Sequence, residues 1–270
     1  MKSRSYKNPG LALILALILS ACTDVIELDL NSSNPKFVIE GKITNRIGDC
    51  EVKITKTTDF FNPDFPPPVQ GAEVMIYNDQ GDTLVLGESF PGVYTHPTGT
   101  ALTGRTYFLS VKAEGQYFSA QSVMPALVPL DSVSQQLAIR QTPGKASNYN
   151  LVAHFRDPLG TGNRYRMRVF KGPLLEDNAP VQSDESLIED GSAVSLPMRG
   201  VSYKAGESGL LELWCVDPIL YLYFSTLENT SSAPGQGISA APGNPISNLS
   251  NGALGYFGAV QITTRSLEIR

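Results

Sequence analysis

Two histidines, three cysteines and 26 acidic residues are the side chains from which this 270-residue chain would build chemistry. Zinc takes four nitrogen, sulfur or carboxylate ligands at short recurring spacings. His96 stands before a proline in a turn and His154 lies within a strand-like run, with no such set around either. A hydrolase nucleophile elbow needs Gly-x-Ser-x-Gly between strand and helix; "GESG" (206–209) has the wrong spacing and sits in a polar turn. The phosphate-cradling Gly-x-x-x-x-Gly-Lys is missing from the sequence. "NDQGD" (78–82) offers oxygen ligands, but without the twelve-residue calcium loop and its distal glutamate it reads as a hairpin turn. Carboxylates are plentiful, and a glycosidase pair is defined by separation in space, which a sequence does not display. No catalytic residue, metal or cofactor is therefore expected, and a surface hydrolase with dispersed carboxylates stands as the alternative.

The elements that would position any such residues are mostly strands. "FVIEGKI" (37–43) and "EVKITKT" (51–57) alternate around a "RIGD" turn. "AEVMIYNDQGDTLVL" (72–86) reads as a hairpin. "PGVYTH" and "LTGRTYFLSVKAEGQYFSA" complete some seven strands, with Tyr107, Leu109 and Val111 on one face. That density predicts a transthyretin- or Ig-like β-sandwich over 35–126, and the spacing "GVY…LTGRTYFLSV" looks like that of transthyretin-like and carboxypeptidase-regulatory-like sandwiches. Prolines 125 and 129 mark an extended connector.

A second β-rich domain, 127–270, is expected beyond it. "NYNLVAHFRDP" and "NRYRMRVFKG" read as paired strands around a "DPLGTGN" turn. In "LLELWCV" (210–216), Leu211, Leu213 and Cys215 oppose Leu210, Glu212, Trp214 and Val216. Asp217-Pro218 has the form of an N-cap with proline at the first helical position. Leu220, Phe224 and Leu227 then fall on one face, predicting a helix over about 218–228 that packs on a sheet. Residues 230–252 read as a long loop, and "YFGAVQITTRSLEI" as one or two closing strands. The fold class is thus all-β in the main, two sandwich-like domains with one helix.

The first 34 residues carry an address. Lys2, Arg4 and Lys7 precede the apolar run Leu11–Leu19, whose nine residues reach about half of a hydrocarbon core about 30 Å thick. That is an export signal rather than a spanning helix. "Leu19-Ser20-Ala21-Cys22" resembles the lipobox of bacterial lipoproteins, in which the cysteine is acylated and becomes the first mature residue. The resemblance implies a leader over 1–21, lipidation at Cys22 and an anchor segment over 22–34. Asp24, Glu27 and Asp29 resemble the export signal of surface lipoproteins of the Bacteroidetes. The expected location is the outer membrane, lipid-anchored and facing the cell surface, with its periplasmic face as the alternative.

Removing residues 1–21 leaves 18 Lys+Arg against 26 Asp+Glu, a net charge of −8. An acidic chain without a basic run argues against nucleic acid, whose binding rests on neutralised phosphates. With Cys22 assigned to lipid, Cys50 and Cys215 remain in a compartment that permits disulfides. They form either one bond across the two halves or two buried thiols, and the bond is not favoured because nothing in the sequence brings their Cα atoms within about 4.4–6.8 Å.

The order "VIELDL", "FVIEGKIT", "VQGAEVMIYN", "PGVYTHP", "GRTYFLSV", "YFSAQSVMP", "VPLDSV", "FRDPLGTGNRYRMRV" and "NPISNLSNGALGYFGA" resembles the DUF4249 family of Bacteroidetes lipoproteins across residues 22–270. The closing Asn-x-x-Asn-Gly…Gly-Tyr-Phe-Gly-Ala block is its most distinctive piece. The resemblance brings no catalytic residues. It implies company, since such genes often lie beside TonB-dependent outer-membrane receptors, and hence a role as a non-enzymatic partner of a transporter. A structural or adhesive surface protein is a further alternative.

The partner-binding candidates are Phe60, Phe61 and Phe65 in "DFFNPDFPPPV" (59–69), where ordinary turns would be polar. Proline stiffening lowers the ordering cost of binding and aromatic rings supply contact area. The competing reading is a loop that folds back over a sheet edge. Asp82-Thr83-Leu84 and Asp131-Ser132-Val133 are similar to the Asp-Ser/Thr-aliphatic sequon of Bacteroidetes O-glycosylation, with Thr83 and Ser132 as acceptors.

Overall fold

The computed structural model describes residues 35–58, 65–139, 146–160, 162–172, 174–175, 181–184, 188–231 and 243–270, and for 174–175, 181–184 and 229–231 the backbone alone. The expected leader, Cys22, the anchor segment, Phe60 and Phe61 lie outside the described residues. The chain is mainly β, built as two sandwiches that share one sheet.

Seven strands form the first sandwich: β1 (Phe37–Thr44), β2 (Cys50–Lys56), β3 (Glu73–Asn78), β4 (Thr83–Phe90), β5 (Val93–Thr95), β6 (Thr106–Ala113) and β7 (Gln116–Val123). Alternation decides which face is buried: Phe37, Ile39 and Ile43 of β1 point inward, as do Tyr107, Leu109 and Val111 of β6. The β3–β4 hairpin turns on Asn78, whose Oδ1 accepts from the Gln80 and Asp82 amides at 2.9 and 3.0 Å. Strand order runs β1-β2-β5-β4-β3-β6-β7, so β4 carries the sheet round a corner. Its two ends then face each other, and the Phe37 and Phe118 rings meet at 4.8 Å between centroids.

The second half contributes β8 (Leu130–Leu137), β9 (Tyr149–Arg156), β10 (Arg164–Lys171), β11 (Leu174–Leu175), β12 (Val181–Asp184), β13 (Ala193–Pro197), β14 (Ser208–Cys215), α1 (Pro218–Ser231) and β15 (Leu254–Glu268). The expected pairing of β9 with β10 does not occur. β9 lies between β8 and β13 in a three-stranded sheet, whereas β10 joins the twelve-stranded sheet beside β14. The two strands face each other across a core, with the Phe155 and Tyr165 rings 4.9 Å apart. Four consecutive residues of β9, Asn150 to Ala153, are buried: the side with Leu151, Ala153 and Phe155 packs on the opposite layer, and on the other Asn150 donates to Val201 O at 2.7 Å. Buried Asp157 fixes the corner by accepting from the Tyr165 hydroxyl and, at 3.4 Å, from the Gly191 amide.

β15 joins the halves. Leu254 to Val260 pair parallel with β1, and Gln261 to Glu268 pair antiparallel with β14. Phe257 and Ala259 are fully buried in the first core although a boundary at 126/127 would place them in the second part. α1 begins as the sequence predicts: the Asp217 carboxylate accepts the Leu220 amide at 2.8 Å. The helix runs three residues past the expected end. Leu220 and Phe224 face the sheet; Tyr223 is buried with them and Leu227 is exposed, because the helix rolls its aromatic side onto Tyr256.

Candidate functional site

The described part of the aromatic loop, residues 65–69, is anchored at one end and exposed at the other. Residues 67–69 take over the edge of β2 where β5 ends: the Lys56 amide donates to Pro67 O at 3.0 Å and the Val69 amide to Ile54 O at 2.9 Å. Val69 is buried, and the Tyr94 hydroxyl donates to its carbonyl at 2.9 Å. So the loop does cover an edge. Phe65, two residues upstream, is 97 % exposed. Pro66 stands between it and the anchored residues, and with Pro67 and Pro68 it holds the backbone near φ −65°, so the ring stands on a stiff stalk.

A second feature lies where the halves meet. The outer face of the shared sheet and the side of α1 enclose a groove of about 290 Å³ lined by Glu40, Lys42, Arg166, Arg168, Trp214 and Tyr256, among others. Its wall on β10 is a ladder of arginines stacked on rings. Arg164 lies 6.0 Å from the Tyr221 ring, Arg166 3.9 Å from Phe224 and Arg168 4.6 Å from Trp214. The first two rings belong to α1, so these guanidinium groups pin the helix to the sheet. Glu212 sits beneath, accepting from Arg46 at 2.7 Å and from the Trp214 indole at 2.9 Å. Burial, with Glu40 adding to it, pushes the Tyr223 hydroxyl up to about 12, so it remains a neutral donor.

The opposite wall holds Glu40 and Glu51 on neighbouring strands. A glycosidase pair must flank the scissile bond from both sides. These two rise from one floor, and each stands in register with a lysine, Glu40 with Lys53 and Glu51 with Lys42. That is the opposite-charge pairing that stabilises a sheet.

The seam is latched by one carboxylate. Besides capping α1, Asp217 accepts from the Ser122 hydroxyl at 2.6 Å and the Val123 amide at 3.1 Å, and Ser122 Oγ in turn accepts the Ala259 amide at 2.9 Å. The Asn-x-x-Asn-Gly…Gly-Tyr-Phe-Gly-Ala block builds the same seam. Asn248 clamps β15 to β7, exchanging hydrogen bonds with Phe257 N and O at 3.0 and 2.8 Å and donating to Gln121 O at 3.0 Å. Gly255, at φ +99°, brings β15 against β1 so closely that a Cβ would stand 2.1 Å from Ile39 O. A Cβ on Gly258 would meet Leu220 of α1 at 2.4 Å. Within the block, Tyr256 alone turns its ring to the groove while Phe257 fills the core.

The remaining sequence candidates sit apart from both features. His96 Nδ1 accepts the Thr98 amide at 3.3 Å, and the His154 ring lies between Ser134 Oγ at 2.7 Å and Ser195 Oγ at 2.9 Å on an exposed sheet face. Among the described residues no three His, Cys, Asp or Glu side chains converge as a metal set. Cys50 and Cys215 are separate buried thiols three strands apart, on the order of 14 Å at sheet spacing. Burial pushes each up to about 12, which removes the thiolate that a nucleophile or metal ligand requires. Thr83 and Ser132 are both exposed, at the start of β4 and on β8.

The groove escaped the sequence reading, yet "RYRMRV" carried a signal. Arginines at every second position alternate with Tyr165, Met167 and Val169, which fill the second core. A strand with one apolar face and a run of like charges on the other announces a lined surface.

Shared sheet, two sandwiches and one docked helix define a mainly β protein organised around a seam. The chain belongs to the family described as a domain of unknown function, DUF4249, which matches residues 23–266. No curated protein matches it. Among solved structures it is similar to a two fibronectin type-III domain segment of chicken tenascin, at 12 % identity over 68 % of this chain and 92 % of that one, with a TM-score of 0.22. It is similar also to the Yersinia pseudotuberculosis adhesin InvE, at 22 % identity over 66 % and 55 % of the two chains, with a TM-score of 0.21. At these scores neither overlay bears on fold or function, and the sandwiches rest on the strand registers above.

Proposed function

We propose that this protein is a lipid-anchored, non-enzymatic binding partner of a TonB-dependent receptor at the outer membrane. The observation that carries the binding role is the Phe65 ring, 97 % exposed on a proline stalk whose base is hydrogen-bonded to β2. A large ring held rigidly in water is an anchor awaiting a pocket. The lipobox at Cys22 and the receptor as partner come from the resemblance of the sequence to surface lipoproteins. The groove's two glutamates, on one floor and each opposite a lysine, favour binding over hydrolysis.

Gentle solubilisation of outer membranes, followed by affinity capture of the wild-type chain, tests the reading. A TonB-dependent receptor should copurify, and Cys22→Ser should be lost from the outer-membrane fraction with its leader uncleaved. Capture without a receptor would overturn the partnership; unchanged processing and outer-membrane partitioning of Cys22→Ser would overturn the anchor.

A further inference from the structure

The arginine ladder of β10 is not uniform. Arg164 and Arg166 meet rings of α1, whereas Arg168 lies beyond the helix and stacks on Trp214 of the neighbouring strand. Its guanidinium has five donors in a fixed fork. Among the described residues it makes no hydrogen bond, and its ion-pair carboxylate oxygen, Glu212 Oε2, is 3.8 Å away. That oxygen already accepts the Trp214 indole, and the other accepts Arg46. The side chain is 19 % exposed and lines both this groove and the neighbouring cavity beside Arg46, Asp49 and Phe170. A mostly desolvated guanidinium with unused donors has strong affinity for an oxyanion, which it binds through two parallel N–H···O bonds.

We propose that the groove is a binding site for a small organic oxyanion, a carboxylate or phosphate held by Arg168 with its apolar body against Tyr256, Tyr223 and Leu227. The volume of about 290 Å³ admits a ligand of small-metabolite size. The positive end is local to β10, because Lys42 on the far wall is held by Asp49 at 2.5 Å and faces Glu51. The ligand is therefore oriented, anion toward β10. This site uses none of the Phe65 loop and stands or falls independently of the receptor partnership.

Trp214 is the chain's one tryptophan and carries Arg168 on its ring, so intrinsic fluorescence reports on the site directly. The full chain in detergent would be titrated with benzoate, phenyl phosphate and the neutral benzyl alcohol at constant ionic strength. Saturable change with an anion and none with the alcohol is expected, and the tighter of the two anions assigns carboxylate or phosphate. Arg168→Gln should weaken binding about tenfold or more, while Lys112→Gln, in the exposed Glu73 pair at 2.7 Å, should leave it unchanged. Should Arg168→Gln not fold, the Arg168 Nε–H resonance of the wild-type chain decides, shifting with anion and not with alcohol. No saturation, an equal response to the alcohol, or unchanged affinity in a folded Arg168→Gln would overturn the site.

Discussion

Residues 248–259 and residues 65–69 make opposite use of distinctive sequence. The first stretch is the most recognisable in the chain, and its asparagine and glycines go into hydrogen bonds and close approaches that hold β15 to β1, β7 and α1. The second is short and low in information, yet it leaves a phenylalanine almost wholly in water. A dense motif here marks where backbones must touch; an aromatic side chain the fold does not bury marks where something else binds. The two regions should therefore respond oppositely to substitution, the block losing stability and the loop losing association.

The largest effect is expected at Gly255. An alanine there would meet three backbone atoms of Ile39 within 3.1 Å at a backbone angle that L residues rarely adopt. Gly255→Ala should cost about 4 kcal/mol or more, or prevent folding, as read from denaturant midpoints. A loss under about 1 kcal/mol would mean that β15 can slide away from β1. Asp217→Ala comes next, removing the cap of α1 and the link to Ser122 and Val123 together. About 3 kcal/mol is expected, with the helix and the β7 edge losing amide protection in the same transition. Protection lost by the helix alone would show that the seam is not latched there.

A smaller effect comes from the buried thiols. Cys50 and Cys215 hold their protons up to about 12 in the fold but release them near 9 once unfolded. Between those values the unfolded chain binds fewer protons, so stability should fall as pH rises through that window. Cys50→Ala/Cys215→Ala should flatten the slope by up to two protons, measured as unfolding free energy against pH; an unchanged slope would contradict the burial of both thiols.

The first sandwich was legible because its strands alternate cleanly and its turns carry Asn, Asp and Gly. The Asp217 cap and the start of α1 were legible for the same reason, being local signals. What escaped was everything decided by layers. β9 and β10 look like a hairpin because they are adjacent in sequence, but the buried faces of both are satisfied only when they oppose each other. β15 reads as one or two closing strands, and nothing local says that its two halves pair with different partners. Arg168 and Trp214 are separated by 46 positions and meet only because β10 and β14 are neighbours. Phe65 was singled out by composition, and the structure supplies its exposure and the anchored base that makes it rigid.

The division of labour between seam and loop is tested most directly by one paired measurement on Phe65→Ala: thermal or denaturant stability of the purified chain, and receptor recovered with it from solubilised outer membranes. The expected result is stability within about 0.5 kcal/mol of wild type and a clear loss of receptor. Full receptor recovery, or a loss that merely follows a drop in stability, would contradict it.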